Sequence, residues 1–569
     1  MKLNIRVSGP AGLGMNSTAD IIADTFAKIG YEVITNIEYQ SVIKGGLNHF
    51  DVNVSDTNKS LSKYADILIV FDDKNLENNL STLRKGAFII SNKKFVDKLK
   101  EKQINLSNFK ILEIEINDKY DNTYLLGVLF KLLGFSVETS YASIEHTFAK
   151  KGVEIVEKNK SIVEEIYKNY DLKDITSYNL GKVGDEKKVS FGNSMIAYGA
   201  IENGLEFYSA YPMTPASTIL SEVINSKRVN YLQAEDEIAV INAALGASFT
   251  GARSMVGTSG GGFALMTEAL SFALQAEIPI VAVLAQRAGP STGTPTCLEQ
   301  GDINFALNPT FGDFEHIVLV PATMEDGYYM SGLALNLAQK YQTIVIVLID
   351  KQFSEGKSSF SELKTPGIER GKLQENPKED YKRFELTDDG ISPYTKPGTK
   401  NGDFIATSYE HDEYGSTTED SEMKVLMTEK RAKKLQNFYE KENFRGYEVY
   451  PALPPVVSMP SGKNINITKP KKYIITTSFI SYTAKQFVDD NPEYGLITIK
   501  FLKPLDERIL EVIKYCEEII FVEHNYSGQI ETYLTDKLGL KFIDGLKISN
   551  LRKYDLMPFY IEDFYKLKQ

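Results

Sequence analysis

The sequence predicts a multidomain α/β protein, and three features carry that prediction. Apolar β-type runs alternate with helix-patterned segments from residue 2 to about residue 171, and again over 189–353. A polar stretch rich in Gly, Pro, Asp and Tyr breaks the alternation over 354–463, and it resumes over 464–569. A chain of 569 residues is too long for one core, so about three or four domains are expected.

The first α/β domain, 1–171, opens with a strand at 2–8, a glycine-rich turn and a helix at 16–29. Strands follow at 31–37, 48–54, 67–71, 87–90 and 110–116. Lysine-rich, weakly periodic sequence from 158 to 188 shades into a linker placed at 172–188. The second domain, 189–353, has strand patterns at 206–210, 254–258, 278–284, 316–320 and 343–349, with helices at 215–226, 235–249 and 262–275. Repeated βα units make a parallel sheet that binds ligands at the carboxyl ends of its strands. Residues 354–463 read as an irregular connecting excursion with one helix near 421–442. The last domain, 464–569, has strands at 472–476, 494–499 and 518–523.

Composition narrows the function classes. A net charge of −12 argues against nucleic acid as a main partner, since a phosphate backbone needs a basic face. No apolar run approaches the roughly 20 residues that span a bilayer, and the first residues run straight into a strand pattern without a signal-peptide layout. No membrane association and a cytoplasmic location are expected. Cys297 and Cys516 are the only cysteines. Two thiolates cannot hold a four-iron cluster, which takes about four.

Several segments carry candidate chemistry. In Gly9-Pro10-Ala11-Gly12-Leu13-Gly14, glycines let backbone N–H groups approach a phosphate at a helix start. Such a turn is equally a tight connection, and no acid is placed for a ribose, so nucleotide binding is not assigned to it. The loop Glu38-Tyr39-Gln40-Ser41, continuing to Ile43-Lys44-Gly45-Gly46, reads alone as a simple connection. In Tyr211-Pro212-Met213-Thr214-Pro215-Ala216-Ser217, Pro215 suits the first turn of a helix. Thr214 is then either an N-cap or a hydroxyl offered to a ligand.

Gln233-Ala234-Glu235-Asp236-Glu237 opens an Ala/Gly-rich helix, where acids suit the macrodipole. That accounts for Glu235 and Asp236. Glu237 differs, because Ile238, Ala239, Ile241 and Ala244 put its surroundings on the apolar side. In Ser259-Gly260-Gly261-Gly262-Phe263 the glycines allow a tight turn or close approach to a ligand. Arg287, at the end of an apolar strand and before a Gly/Pro/Ser/Thr loop that reaches Thr296, is either a surface charge or a planar fork for a carboxylate. Glu410-His411-Asp412-Glu413 looks like a metal cluster, but neighbours on a loop rarely converge, so a structural turn is expected and no metal is assigned.

Together with Asn48, the first two loops resemble the γ domain of 2-oxoacid:ferredoxin (acceptor) oxidoreductases, whose pattern is a glycine-rich turn and then Glu-Tyr-x-Ser-x-x-(Arg/Lys)-Gly-Gly. Ala11 and Leu13 depart from it. The segment from Tyr211 resembles the Tyr-Pro-Ile-Thr-Pro-Ser signature of the family's α subunit, and Arg287 to Thr296 and Gln300-Gly301-Asp302 also follow it. Gly261 stands where the family has proline, and Tyr394 where it often has arginine. Phe521-Val522-Glu523-His524-Asn525-Tyr526-Ser527-Gly528-Gln529 is similar to the strand end of transketolase C-terminal domains, and an interface or the coenzyme A approach is expected there.

The resemblance implies a fused γ–α subunit with a γ-type α/β domain, a thiamine-diphosphate-binding, pyrimidine-type parallel-sheet domain, and a transketolase C-terminal-like α/β domain. It implies coenzyme A-dependent, reversible oxidative decarboxylation of a 2-oxoacid, with electrons passed to ferredoxin. Glu237 would hydrogen-bond N1′ of the aminopyrimidine, with Glu235 as the alternative. Tyr211, Pro212, Ser259 and Gly260 would contact the cofactor, and Thr214, Arg287 and Thr296 the substrate. No Gly-Asp-Gly occurs, and Asn78-Asn79 has no such partner upstream. The diphosphate's Mg²⁺ and a [4Fe-4S] cluster are therefore expected on a β subunit, in an αβ or (αβ)₂ assembly. The fusion favours 2-oxoglutarate, with pyruvate and branched-chain 2-oxoacids open. Two other readings remain at this level: a non-catalytic scaffold, and a flavin or NAD oxidoreductase using the Gly9–Gly14 turn.

Overall fold

The apolar runs Ile280–Gln286 and Ile344–Asp350 are buried along their whole length, as strands covered on both faces of a parallel sheet must be. They lie at the centre of the largest part of the molecule. The computed structural model describes residues 1–569 except 11, 40–47, 117–119, 150–151, 173–174, 176–177, 453–469 and 569. The loop 40–47, with most of the Glu-Tyr-x-Ser motif, lies outside the described residues.

In chain order the first strands are β1 (Lys2–Ser8), β2 (Glu32–Glu38), β3 (His49–Ser55), β4 (Ala65–Val70), β5 (Leu83–Asn92), β6 (Lys110–Ile114) and β7 (Lys188–Phe191). Next come β8 (Phe207–Ala210), β9 (Asn230–Gln233), β10 (Ser254–Thr258), β11 (Ile280–Gln286), β12 (Ile317–Leu319), β13 (Ile344–Asp350) and β14 (Lys357–Phe360). The last are β15 (Tyr447–Tyr450), β16 (Lys472–Thr476), β17 (Tyr494–Ile499), β18 (Phe501–Lys503), β19 (Glu518–Glu523) and β20 (Lys547–Arg552).

The chain forms two units. The first comprises Met1–Ser190, Glu355–Ser361 and Pro558–Gln569. Its sheet runs β6-β5-β4-β1-β3-β2-β14-β7, with the Met15–Lys28 helix burying Ile21, Ile22 and Phe26. Within it, Arg6 donates to both oxygens of Asp51 at 2.7 and 2.8 Å, which satisfies a buried charge.

The second unit comprises Phe191–Ser354 and Glu362–Met557. Its larger sheet runs β18-β12-β13-β11-β10-β8-β9, parallel except for the β12–β18 pair. The chain passes from β8 to β9 on one side, then returns to β10 on the other. That reversal opens a crevice at the carboxyl ends of the strands. The smaller sheet, β15-β17-β16-β19-β20, shares one apolar core with it, in which Phe263, Ile346, Ile497 and Phe521 are all buried.

The α/β architecture expected from the sequence is the one observed, with local differences. Residues 158–188, read as weakly periodic, begin inside a helix, Val153–Asn169, which buries Val156, Ile162, Val163 and Ile166 on one face. The single helix expected near 421–442 is two, Ser421–Lys433 and Phe438–Glu442, because Asn437 takes the left-handed conformation at φ 55°. Ala216 occupies the cap position of the Ser217–Ser226 helix. Pro215 is therefore not in the helix's first turn, and Thr214 does not cap it. Among the described residues, no helix is long and apolar enough to cross a membrane.

Candidate active site

The loops that follow β8, β9, β10 and β11 converge at the crevice, and each carries sequence-predicted groups. After β8 the chain turns tightly, with Ala216 N–H donating to the Met213 carbonyl at 2.8 Å. Asn193 holds this turn: its side-chain amide donates to the Pro215 carbonyl at 2.7 Å and to Thr218 Oγ1 at 2.6 Å. The turn leaves Tyr211 and Pro212 exposed and Thr214 half-buried. The role of Asn193 becomes visible only in three dimensions.

After β9, Asp236 caps the Glu237–Phe249 helix by accepting from Ala239 N–H at 2.7 Å. Asp236 thus serves the helix, and Glu235 points to an exposed position. Glu237 lies inside at 4 % exposure, and its Oε1 has no hydrogen-bond partner among the described residues. A buried carboxyl oxygen without a partner is costly unless a ligand supplies one.

After β10, Ser259 precedes the Gly260–Gln275 helix, and its buried hydroxyl likewise lacks a partner among the described residues. Two of the three glycines here are demanded by space. A Cβ on Gly262 would lie 2.2 Å from Thr258 Oγ1 and 2.4 Å from Glu237 Oε1, and one on Gly260 would lie 2.6 Å from Asp302 Oδ2. Gly261 faces open space.

After β11, Arg287 donates from Nη1 to the Thr214 carbonyl at 2.6 Å, joining the β8 and β11 loops. Burial lowers its guanidinium from the ordinary arginine value, and Asp302 partly opposes this. The loop beyond folds back on itself: Ala288 N–H donates to the Cys297 carbonyl at 3.1 Å, and Thr294 N–H to the Ala288 carbonyl at 3.2 Å. The half-buried Thr296 is thereby carried beside the strand end that bears Arg287.

The segment Gln300–Asp302 is fixed by the 523–529 turn. Gln300 N–H donates to the His524 carbonyl at 2.7 Å. The Gln529 side chain donates to the Gly301 carbonyl and accepts from Asn304 N–H, both at 2.8 Å. Glu523 accepts from Ile530 and Glu531 N–H at 2.8 and 2.9 Å, and Asn525 from Gly528 N–H at 2.7 Å. The buried Glu523 and Asn525 of this turn cap the Gln529–Lys537 helix, and Gln529 clamps the Gln300–Asp302 segment, a role the sequence does not signal.

The Glu410–Glu413 stretch is a tether. Glu410 pairs with Arg431 at 2.8 and 3.1 Å. Burial pushes its carboxyl up, but Arg431 and Lys424 hold it down at about 2. The His411 ring lies 4.0 Å from that of Phe384. Among the described residues, no group of three or more His, Cys, Asp or Glu is placed to hold a metal ion.

Comparison with known proteins gives a consistent picture. Residues 198–430 match the family model "Pyruvate flavodoxin/ferredoxin oxidoreductase, thiamine diP-bdg", and residues 4–169 match "Pyruvate ferredoxin/flavodoxin oxidoreductase". The 2-oxoacid:ferredoxin oxidoreductase subunit alpha of Saccharolobus solfataricus is 31% identical over 95% of this chain and 94% of its own length. The 2-oxoglutarate oxidoreductase subunit KorA of Mycobacterium tuberculosis is 29% identical over 63% of this chain and 61% of its own. The structure of 2-oxoglutarate:ferredoxin oxidoreductase from Magnetococcus marinus, solved with 2-oxoglutarate, coenzyme A and succinyl-CoA bound, superposes with a TM-score of 0.84 at 29% identity. It covers 100% of this chain and 99% of that one.

Proposed function

The chain belongs to the family of 2-oxoacid:ferredoxin oxidoreductase α subunits, and on that premise we propose that it forms the substrate half of a coenzyme A-dependent enzyme acting on 2-oxoglutarate. The overall change is 2-oxoacid plus coenzyme A to acyl-CoA plus carbon dioxide, with two electrons leaving one at a time to oxidised ferredoxin and one proton released.

The observation that carries this reading is the partnerless Oε1 of buried Glu237, at the mouth of a parallel sheet and against the glycines that open the next helix. These residues fit the aminopyrimidine end of thiamine diphosphate. Glu237 would share a proton with the ring in a low-dielectric pocket, the Ser259 hydroxyl would find a partner there, and Gly260, Tyr211 and Pro212 would line the approach. When bound, the cofactor supplies the nucleophilic carbon that the protein lacks. Arg287 would grip the 2-oxoacid carboxylate through its planar fork, oriented by its bond to the Thr214 carbonyl. Thr214 and Thr296 would present hydroxyls to the same substrate.

A β subunit would hold the diphosphate with Mg²⁺ and a [4Fe-4S] cluster, in an αβ or (αβ)₂ complex in the cytoplasm. The two cysteines, Cys297 and Cys516, are too few for that cluster. 2-Oxoglutarate is favoured because it is the compound named for the superposed Magnetococcus structure. The test is turnover of the complex on 2-oxoglutarate, pyruvate and branched-chain 2-oxoacids, with and without Glu237→Gln. Loss of turnover in the variant supports the reading. Full turnover in the variant leaves a scaffold role, and a preference for pyruvate revises the substrate.

A further inference from the structure

The first unit carries a buried polar stripe that the crevice does not account for. Along β1, Leu3, Ile5 and Val7 belong to the apolar core, so strand alternation puts Lys2, Asn4, Arg6 and Ser8 on the opposite face. The antiparallel register sets Asn4 beside Asn53 of β3, and Arg6 beside Asp51. These two rungs behave differently. Arg6 and Asp51 close on each other at 2.7 and 2.8 Å. Asn4 and Asn53, about 5 Å apart at Cβ as cross-strand neighbours are, turn instead to Ser62. Asn4 Nδ2 donates to the Ser62 carbonyl at 3.0 Å, and Asn53 Oδ1 accepts from Ser62 N–H at 3.0 Å.

Those bonds use one end of each amide and fix which atom is which, since a carbonyl calls for the NH₂ group and an N–H for the oxygen. The other ends, Asn4 Oδ1 and Asn53 Nδ2, have no partner among the described residues. Asn4 is only 1% exposed and Asn53 6%. An acceptor and a donor are thus left open on neighbouring strands, where burial makes each unfavourable without a partner. Both residues line a cleft of about 300 Å³, together with Ser55, Ser60, Asp66 and Arg84. That volume is at the lower limit of small-molecule sites.

The charges of this cleft are already balanced. Arg84 Nε lies 3.1 Å from Asp66 Oδ1, Asp66 Oδ2 accepts from Asn4 N–H at 2.8 Å, and Lys2 has a partner of its own. An ionised headgroup therefore gains little here. The complement is a neutral edge with an N–H beside a C=O, the N–H donating to Asn4 Oδ1 and the carbonyl accepting from Asn53 Nδ2. We propose that this cleft of the first unit is a binding site for a neutral small molecule that presents an amide edge, either a primary carboxamide or a lactam ring. No residue of the crevice takes part, so the inference stands apart from the assignment of the reaction.

The experiment titrates nicotinamide, uracil and nicotinic acid into the full chain by calorimetry. Nicotinamide presents a primary carboxamide, and uracil presents the same edge within a ring. Nicotinic acid keeps the shape of nicotinamide but offers two acceptors and a charge. Nicotinamide or uracil should bind with a Kd on the order of 1 mM, as befits so few atoms, and whichever binds more tightly identifies the source of the edge. Nicotinic acid should bind at least about tenfold more weakly. Asn53→Asp keeps the acceptor for Ser62 N–H and replaces only the open donor. Measured at pH 8, to keep the new carboxyl ionised, it should weaken amide binding at least about tenfold. If neither amide binds the unaltered chain, the proposal is overturned whether or not the variant folds. Equal binding of nicotinic acid overturns it too, as does undiminished amide binding by a folded Asn53→Asp chain.

Discussion

Two buried glutamates bracket the Gly260–Gln275 helix, and they are opposites. Glu237 lies against its first turn, at the carboxyl edge of the large sheet, with one oxygen lacking a partner. Glu277 lies just past its last turn, at the amino edge, and is 0% exposed. It receives Lys430 at 2.7 and 2.8 Å and Lys434 at 2.8 Å, while Arg383 donates to its backbone carbonyl at 3.0 Å. Burial alone would push the Glu277 carboxyl up; Lys430, Lys434 and Arg383 reverse this and hold it well below the usual range. One edge of the sheet saturates its buried charge and so anchors residues 383–434 of the excursion. The other leaves hydrogen-bonding capacity unspent. Of these two carboxyls, the satisfied one accounts for structure, and the open one is the candidate for a ligand contact.

The contrast breaks most readily at the saturated end. Glu277→Gln leaves two lysines and an arginine buried without their counter-charge, which should cost about 3–5 kcal/mol. Denaturant unfolding of the variant is the measurement, and a loss below about 1 kcal/mol would mean that the cations are solvated rather than clamped. At the open end the same substitution should do the reverse. Glu237→Gln should lower turnover of the complex roughly 10²–10³-fold, while the unfolding midpoint stays level or rises, since the side chain removed has a buried oxygen without a partner. A variant that lost stability and kept its turnover would falsify the distinction drawn here.

Arg287→Lys comes next. A point charge replaces a fork that at present holds the Thr214 carbonyl at 2.6 Å, so KM for the 2-oxoacid should rise about tenfold. The split between KM and kcat sharpens the comparison: on the proposed reading the Arg287 variant should move KM, and the Glu237 variant kcat.

Legibility followed the same divide. The strands at 254–258, 472–476, 494–499 and 518–523 end where periodicity placed them, because buried parallel strands write their burial directly into apolar runs. The edge strand β9 was invisible: all four of its residues are exposed, so no apolar pattern marks it. The types and loops of the site residues were readable, since glycines, an acid and an arginine stand at strand ends. That Glu237 rather than Asp236 is the inward carboxyl was readable from its apolar neighbours. The clamp from Gln529 to Gly301 was not, because it joins residues 228 positions apart through a backbone carbonyl that any residue carries. Nor was the partnerless state of Oε1, which depends on everything that fails to approach it.

The smallest expected effect tests the amino edge once more, through a histidine. His316, directly before β12, is 1% exposed, and Nε2 lies 2.9 Å from the Ala306 carbonyl. Burial, with Lys503 nearby, lowers its pKa from 6.5 to about 3, against a smaller upward pull from that carbonyl. The unfolded chain therefore takes up a proton between pH 6.5 and 3 that the folded chain refuses. Stability is lost as the pH falls through that window, by about 1 kcal/mol at pH 5.5 from this group alone. Glutamine at 316 cannot titrate, so His316→Gln should narrow the gap between unfolding free energies at pH 7.5 and pH 5.5 by that amount, whatever its effect at either pH. An identical gap in both proteins would show that the ring is reached by water, and that the amino edge is less thoroughly sealed than its glutamate implies.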